Sequence, residues 1–372
     1  MEKRNELNEV DVSKRKIQFA DKLSEKIYYN LLKTQETKNI SYLLEAIRLS
    51  GITPDPAYEW YLKLKQMAAD GTRLILYGLG KAAKTMQQEE VKRKGTPGYL
   101  YYPFLGDIDW FGMCDKNADN FPEGFLGKRV MSVNELLLLK EKNICICIAA
   151  PDYYEEIEKD LLGLGIKRDN IVRHIYPQTI CYEEKQYFDD FIDVKKESAV
   201  IDAGCYCCDT LERFIQWNKP KGYDDIIAYE PDLKNFETCK KKVKEKSWKN
   251  VKLINSGVSD KEYIYKFVGN GDSTSYASID GNEQTQMISI DASTNGKKIS
   301  FIKMDVEGFE LQALKGAKEC IKRDHPRLAI ALYHKEEDLI EIPHYIQTLS
   351  KEYKFYLRIY SNAYLEIVLY AV

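Results

Sequence analysis

The chain has 372 residues, well beyond the roughly 100 to 200 of one domain, so two compact domains and an extension are expected. Hydrophobic residues make up 44% and charged residues 30%, which excludes a disordered chain, and Lys+Arg 55 against Asp+Glu 58 leaves a net charge of -3. With no basic field, neither nucleic acid nor an anionic membrane surface is an expected partner.

No run approaches the roughly 18 to 20 apolar residues of a membrane-spanning helix, and the opening Met1 to Asn5 lacks a signal-peptide core. The 9 cysteines show no disulfide-framework spacing, so free thiols and a cytoplasmic location are expected.

In chain order, residues 1–70 read as a helical N-terminal extension, with apolar positions such as Leu43, Leu44, Ile47 and Leu49 at helical spacing. Gly51 to Pro56 punctuates it, and Asp70-Gly71 ends a further helix. Arg73 to Tyr77 is a short apolar strand, and Gly78-Leu79-Gly80 turns it into a helix near Lys81. Two more runs, Trp110 to Cys114 and Ile144 to Ala149, flank a helix from Val133 to Leu139, so residues 71–176 read as a Rossmann-like α/β domain. The aromatic stretch Tyr99 to Phe104 reads as a loop or a buried lid. Residues 177–197 are mixed and charged, a linker.

The last segment, 198–372, carries seven expected strands: Ala199 to Asp202, Ile226 to Tyr229, Val251 to Ile254, Phe301 to Met304, Leu328 to Leu332, Phe355 to Tyr360 and Leu365 to Tyr370. Helices are expected over Asp209 to Trp217, Leu233 to Lys246, Phe309 to Lys322 and Glu336 to Leu349, with a closing hairpin and a smaller β region at Tyr263 to Val268 and Gln286 to Ile290.

In an open parallel sheet, ligands bind beyond the carboxyl ends of the strands. There, Asp202-Ala203-Gly204 precedes a loop into a helix holding Asp209 and Thr210, with Gly204 permitting close backbone approach. Glu230 ends the next strand, 26 residues after Gly204, and is placed to accept from both hydroxyls of a ribose. Asn255 and Ser256 end the third strand with small polar groups for an adenine edge. Asp305 and Glu307 follow the fourth strand and His334 the fifth. Alone, an Asp-x-Gly is a tight turn and Glu230 an exposed helix cap; together with the sheet they describe a nucleoside site.

At these residues the sequence resembles the FkbM family of S-adenosylmethionine-dependent methyltransferases. The likeness runs over residues 198–372 and is strongest from Phe301 to Glu310, through Leu314-Lys315-Gly316-Ala317, to Leu332 to Lys335, with Phe355 to Arg358 and Val368 to Ala371 resembling the family's last two strands. It implies the class I methyltransferase fold, a seven-stranded sheet with helices on both faces and an antiparallel last strand. It also implies S-adenosylmethionine as cofactor and transfer to a hydroxyl of a sugar or natural product. Asp202 and Gly204 then match the donor loop and Glu230 the ribose-binding acid. Where the family commonly has a second loop glycine, this chain has Cys207-Cys208.

Transfer to a hydroxyl needs alignment and a base, and Asp305, Glu307 and His334 are the candidates. Two carboxylates in one loop make an incomplete metal site, Cys205, Cys207 and Cys208 lack a second ligand pair, and Glu310 reads as facing along its helix, so no metal ligand is assigned. In the first α/β domain the nearest strand-end acid, Asp115, lies 35 residues beyond Gly80 instead of about 20, which disfavours NAD. The leading expectation is an O-methyltransferase acting on a small-molecule or glycan acceptor in carbohydrate modification; the rivals are a non-catalytic scaffold and an oxidoreductase.

Overall fold

A computed structural model describes residues 17–95, 99–139, 142–192, 198–219, 222–268, 276–277 and 283–372. The opening Met1 to Asn5 and positions 193–197 of the expected linker lie outside the described residues. The chain divides into two units, Thr53–Ile180 and a larger one that joins Met1–Ile52 to Cys181–Val372.

Helix α1 (Lys22–Thr37) starts where Asp21 accepts from the Ser24 amide at 2.7 Å, and α2 (Ile40–Leu49) where Asn39 accepts from the Ser41 amide at 2.9 Å. Both belong to the larger unit. The smaller unit opens with α3 (Pro56–Ala69), which has Asp55 as cap and proline in its first turn. It continues through β1 (Arg73–Tyr77), α4 (Lys81–Arg93), β2 (Gly112–Cys114), β3 (Val130–Met131), α5 (Val133–Leu137), β4 (Ile144–Ile148), α6 (Tyr154–Gly163) and β5 (Ile171–Arg173). Its strands form one parallel sheet in the order β3-β2-β1-β4-β5. Leu74, Ile75, Leu76 and all of β4 are buried, as a parallel sheet covered on both faces requires. Asp115 is spent on the turn after β1, where it accepts from the Leu79 amide at 2.8 Å. Of the Tyr99 to Phe104 stretch, Phe104 is buried and its ring packs 4.9 Å from that of Tyr102.

The larger unit resumes with β6 (Ala199–Ala203), α7 (Asp209–Trp217), β7 (Asp225–Tyr229), α8 (Leu233–Glu245) and β8 (Val251–Ile254). A side sheet comes next: β9 (Gly257–Val258), β10 (Tyr263–Val268), β11 (Tyr276–Ala277) and β12 (Glu283–Ile288), ordered β11-β10-β12-β9. Then come α9 (Ile290–Thr294), β13 (Ile299–Met304), α10 (Glu310–Gly316), α11 (Lys318–Asp324), β14 (Arg327–Ala331), α12 (Asp338–Leu349), β15 (Phe355–Ile359) and β16 (Ile367–Ala371).

The main sheet has seven strands in the order β15-β16-β14-β13-β6-β7-β8, and β16 runs antiparallel to both neighbours. This is the expected class I methyltransferase sheet. Val200, Ile226, Phe301, Ala329 and Val368 from five of its strands meet Phe188 and Phe214 in one core. The single helix expected over Phe309 to Lys322 is divided at Ala317, and Gly316 beside the break packs against the Ser259 carbonyl with no room for a Cβ. The edge strand β15 is covered by the segment before and into α1. The Ala20 amide donates to the Phe355 carbonyl at 2.8 Å, the Leu357 amide donates to Ser24 Oγ at 2.9 Å, and Arg358 pairs with Asp21 at 2.7 Å.

Candidate active site

Strands β6, β7, β13 and β14 lie side by side and parallel, so the residues just beyond them gather at one end of the sheet. Gly204 leaves β6 with φ +79, and a Cβ there would overlap the Asp305 carbonyl, so only glycine lets these two loops cross. Beneath them Lys303, almost fully buried, lies 3.1 Å from Asp202 and donates to the Gly204 carbonyl at 2.6 Å. Burial lifts the Asp202 carboxyl to about 6, with Lys303 holding it back, while Asp202 outweighs the burial of Lys303 and keeps its ammonium charged. The pair ties β6 to β13 and shapes the Gly204 turn. Asp209 and Thr210 open α7, Thr210 buried and Asp209 half-buried within electrostatic reach of Asp202 and Lys303.

Glu230 sits just beyond β7 and is buried, not an exposed cap. The cap of α8 is Asp232, which accepts from the Lys234 and Asn235 amides. The two oxygens of Glu230 each accept one backbone amide at 2.9 Å, from Tyr206 and from Asp232. Burial still pushes the carboxyl up to about 8 against those two donors. Asn255 braces the same turn, its Nδ2 donating to the Glu230 carbonyl at 2.9 Å. Ser256 is buried with its hydroxyl unpartnered among the described residues, an orphan that suits an incoming polar edge.

The cysteines of the first loop turn inward. Cys208 adopts φ +59 and its side chain is buried beside Cys205 and Cys239, whose sulfurs lie 3.8 Å apart. Cys207 stays half-buried outside that group, and all nine cysteines are free. Hydrogen bonds from Cys205 and Cys239 draw the Cys208 thiol below its ordinary value.

The second half of the site forms after β13 and β14. His334 Nδ1 lies 2.8 Å from Glu310, and its Nε2 lies 3.5 Å from both Asp305 and Glu307. Asp305, Glu307 and His334 are thus brought together as the sequence anticipated. Glu310, read as facing along its helix, is instead fully buried against His334. Two phenols also meet Asp305: Tyr187 donates at 2.8 Å and Tyr333 at 3.2 Å. Burial keeps both phenols far above their ordinary range, so they are fixed donors. Burial lifts Glu307 to about 8; His334 rises to about 10 because Glu310 and Glu307 outweigh its burial. Glu366, also raised to about 7 by burial, adds charge beside Asp305 and is bonded to Gln186.

Tyr187 was out of reach of sequence reasoning because it lies in the segment read as linker; its one signal is a dense aromatic and acidic composition. Glu366 lies between the last two strands, although the sequence predicts it inside a strand over Leu365 to Tyr370.

Residues 208–357 match the family profile of the methyltransferase FkbM domain. The larger unit carries an FkbM methyltransferase domain. The matched span contains every candidate residue from Asp209 to His334, while Asp202 and Gly204 precede it. A solved methyltransferase FkbM from Methylobacillus flagellatus aligns over 85% of this chain and 99% of its own, with 16% identity and a TM-score of 0.50. An rRNA methylase from Streptococcus thermophilus aligns over 48% and 87%, with 15% identity and a TM-score of 0.33. A fibrillarin from Aeropyrum pernix with bound S-adenosyl-L-methionine aligns over 49% and 69%, with 11% identity and a TM-score of 0.32. At 16% identity the likeness to the Methylobacillus protein is one of fold. No curated protein matches the chain. Among the described residues, no helix is long and apolar enough to cross a membrane.

The ends of β6, β7 and β8 fit a nucleoside donor: a glycine turn held open from below, a buried acid with lone pairs to spare, and a serine hydroxyl without a partner among the described residues.

Proposed function

We propose that this methyltransferase uses S-adenosylmethionine to methylate a hydroxyl of a sugar or sugar-linked metabolite. The observation that carries the reading is the buried Glu230 carboxylate, held by two backbone amides at one strand end, on the same edge of the sheet as the Asp305, Glu307 and His334 cluster.

The donor supplies an electrophilic methyl group on a sulfonium. Glu230 accepts from its ribose hydroxyls, Asn255 holds the turn that aims Glu230, and Ser256 meets the adenine edge. Asp202, through Lys303, sets the path of the Gly204 loop, and Asp209 and Thr210 border it at the start of α7. On the acceptor side Asp305 takes the hydroxyl proton, because Tyr187 and Tyr333 fix its carboxylate beside the cluster. His334 holds its own proton against Glu310 and acts by orienting Asp305 and Glu307. The acceptor is a small molecule or glycan, with no part for nucleic acid or membrane, and the site of action is the cytoplasm.

Titrating the full chain with S-adenosylmethionine and its demethylated product, with NAD(H) as control, tests the donor half; a panel of sugar acceptors scored for methyl incorporation tests the rest. Donor binding without transfer to any hydroxyl acceptor would favour a non-catalytic scaffold.

A further inference from the structure

We propose that Asp305, Glu307 and His334 form a divalent-cation site. Asp305 and Glu307 alone offer two carboxylates in one loop, which any solvated acidic turn could show. His334 changes that picture. Its side chain is 1% exposed, and its Nε2 has no hydrogen-bond partner among the described residues. That atom is aimed between the two carboxylates, 3.5 Å from Asp305 Oδ1 and 3.5 Å from Glu307 Oε2. One atom from each of the three residues falls within 4.8 Å of the other two. Donors about 2.1 Å from a common ion lie roughly 3.0 to 3.4 Å apart in octahedral or tetrahedral arrangements, so a small contraction closes the site.

The other ring nitrogen carries the supporting argument. His334 Nδ1 sits 2.8 Å from the fully buried Glu310, so in the neutral imidazole the proton belongs on Nδ1 and the lone pair on Nε2 points at the carboxylates. Without an ion, Nε2 carries a proton toward the two acids, and a cation bound between them takes the place of that proton. A carboxylate bonded to the far nitrogen of a metal-bound histidine is the usual outer support of such sites. Tyr187 and Tyr333 support Asp305 in the same way, by donating to its carboxylate.

One imidazole and two carboxylates favour manganese, iron or zinc over calcium. Asp305 and Glu307 are half-buried, so coordination positions remain open to water or to oxygens of an acceptor. An ion there would bind and acidify an acceptor hydroxyl beside Asp305. Proton and metal compete for Nε2, so binding releases protons and strengthens as pH rises.

The test uses the full chain, stripped with chelator and titrated with Mn²⁺, reading the free aquo-ion by electron paramagnetic resonance and heat by calorimetry. One ion per chain is expected, with a dissociation constant below about 0.1 mM. Glu307→Gln and Asp305→Asn should each weaken it by about 10- to 100-fold, while S-adenosylmethionine binding, measured on the same samples, stays within about threefold. Intact donor binding with no uptake of Mn²⁺ or Zn²⁺ by wild type would overturn the site, as would uptake that neither variant alters. Loss of donor binding with ion uptake retained would instead count against the methyl-transfer reading alone.

Discussion

Replacing Glu230 by alanine should remove most of the affinity for S-adenosylmethionine. A carboxylate has about four lone-pair positions; backbone amides of Tyr206 and Asp232 use two, which leaves two for the two ribose hydroxyls. Hydrogen bonds to a charged group contribute about 1.5 to 3 kcal/mol each, and water entering the alanine pocket returns part of that. The net loss is about 3 to 4 kcal/mol, or roughly 100- to 1000-fold in the dissociation constant. Glu230→Gln should fare little better, since its amide nitrogen would face one of the two backbone N–H donors. The carboxyl's elevated value of about 8 adds a pH signature. Donor hydroxyls bind the ionised form, which is the minor form in the free protein below pH 8. Affinity should therefore climb with pH, by up to about tenfold per unit, and level off above 8. Calorimetry between about pH 6 and 9, in two buffers of different ionisation enthalpy, reads both the affinity and the proton released. A folded Glu230→Ala protein that binds the donor within about threefold of wild type, or a flat pH profile for wild type, would refute the reasoning.

Asp305→Asn should lower turnover by about 100-fold or more while leaving donor affinity within about threefold, as single-turnover methyl incorporation will show. Gly204→Ala should destabilise the larger unit by about 3 kcal/mol or more, because its side chain meets the Asp305 carbonyl at a left-handed φ; denaturant unfolding measures it. Ser256→Ala should hold or slightly raise the melting temperature of the free protein and shrink the rise that the donor produces, since the hydroxyl has no partner among the described residues. Glu307 has a raised folded value, about 8, so its contribution to stability is full below the ordinary glutamate range near 4.5 and is lost as pH climbs through 8. Melting curves should fall over that window, and Glu307→Gln should flatten the fall.

The inner strands of the seven-stranded sheet were legible as short apolar runs bounded by turn residues, as parallel strands buried on both faces must read, while the edge strands β8 and β15 carry a weaker, half-buried pattern. Glu230 was legible because one β/α unit fixes its distance from Gly204. The acid loop was legible as residues and not as an arrangement. Glu310 looks like any first-turn glutamate, and only the pairing of β13 with β14 shows that it meets His334. Tyr187 reaches Asp305 across 118 positions from a segment with no periodic pattern. The inward group of Cys205, Cys208 and Cys239 depends on which face α8 presents to the loop, which spacing alone does not fix. Gly316 marks a close approach to Ser259, but a lone glycine does not say whether a helix breaks beside it or merely passes a neighbour closely.

The cover over strand β15 comes from the beginning of the chain, while β15 itself lies near its end. During synthesis α1 therefore emerges long before the strand it docks on, and the whole of the smaller unit is made in between. That unit draws its contacts from one continuous stretch and can close while the ribosome is still working. The larger unit must wait for strands β15 and β16, with α1 held apart from its partner strand until then. A stalled or truncated chain should accordingly present a folded middle flanked by two unfinished ends.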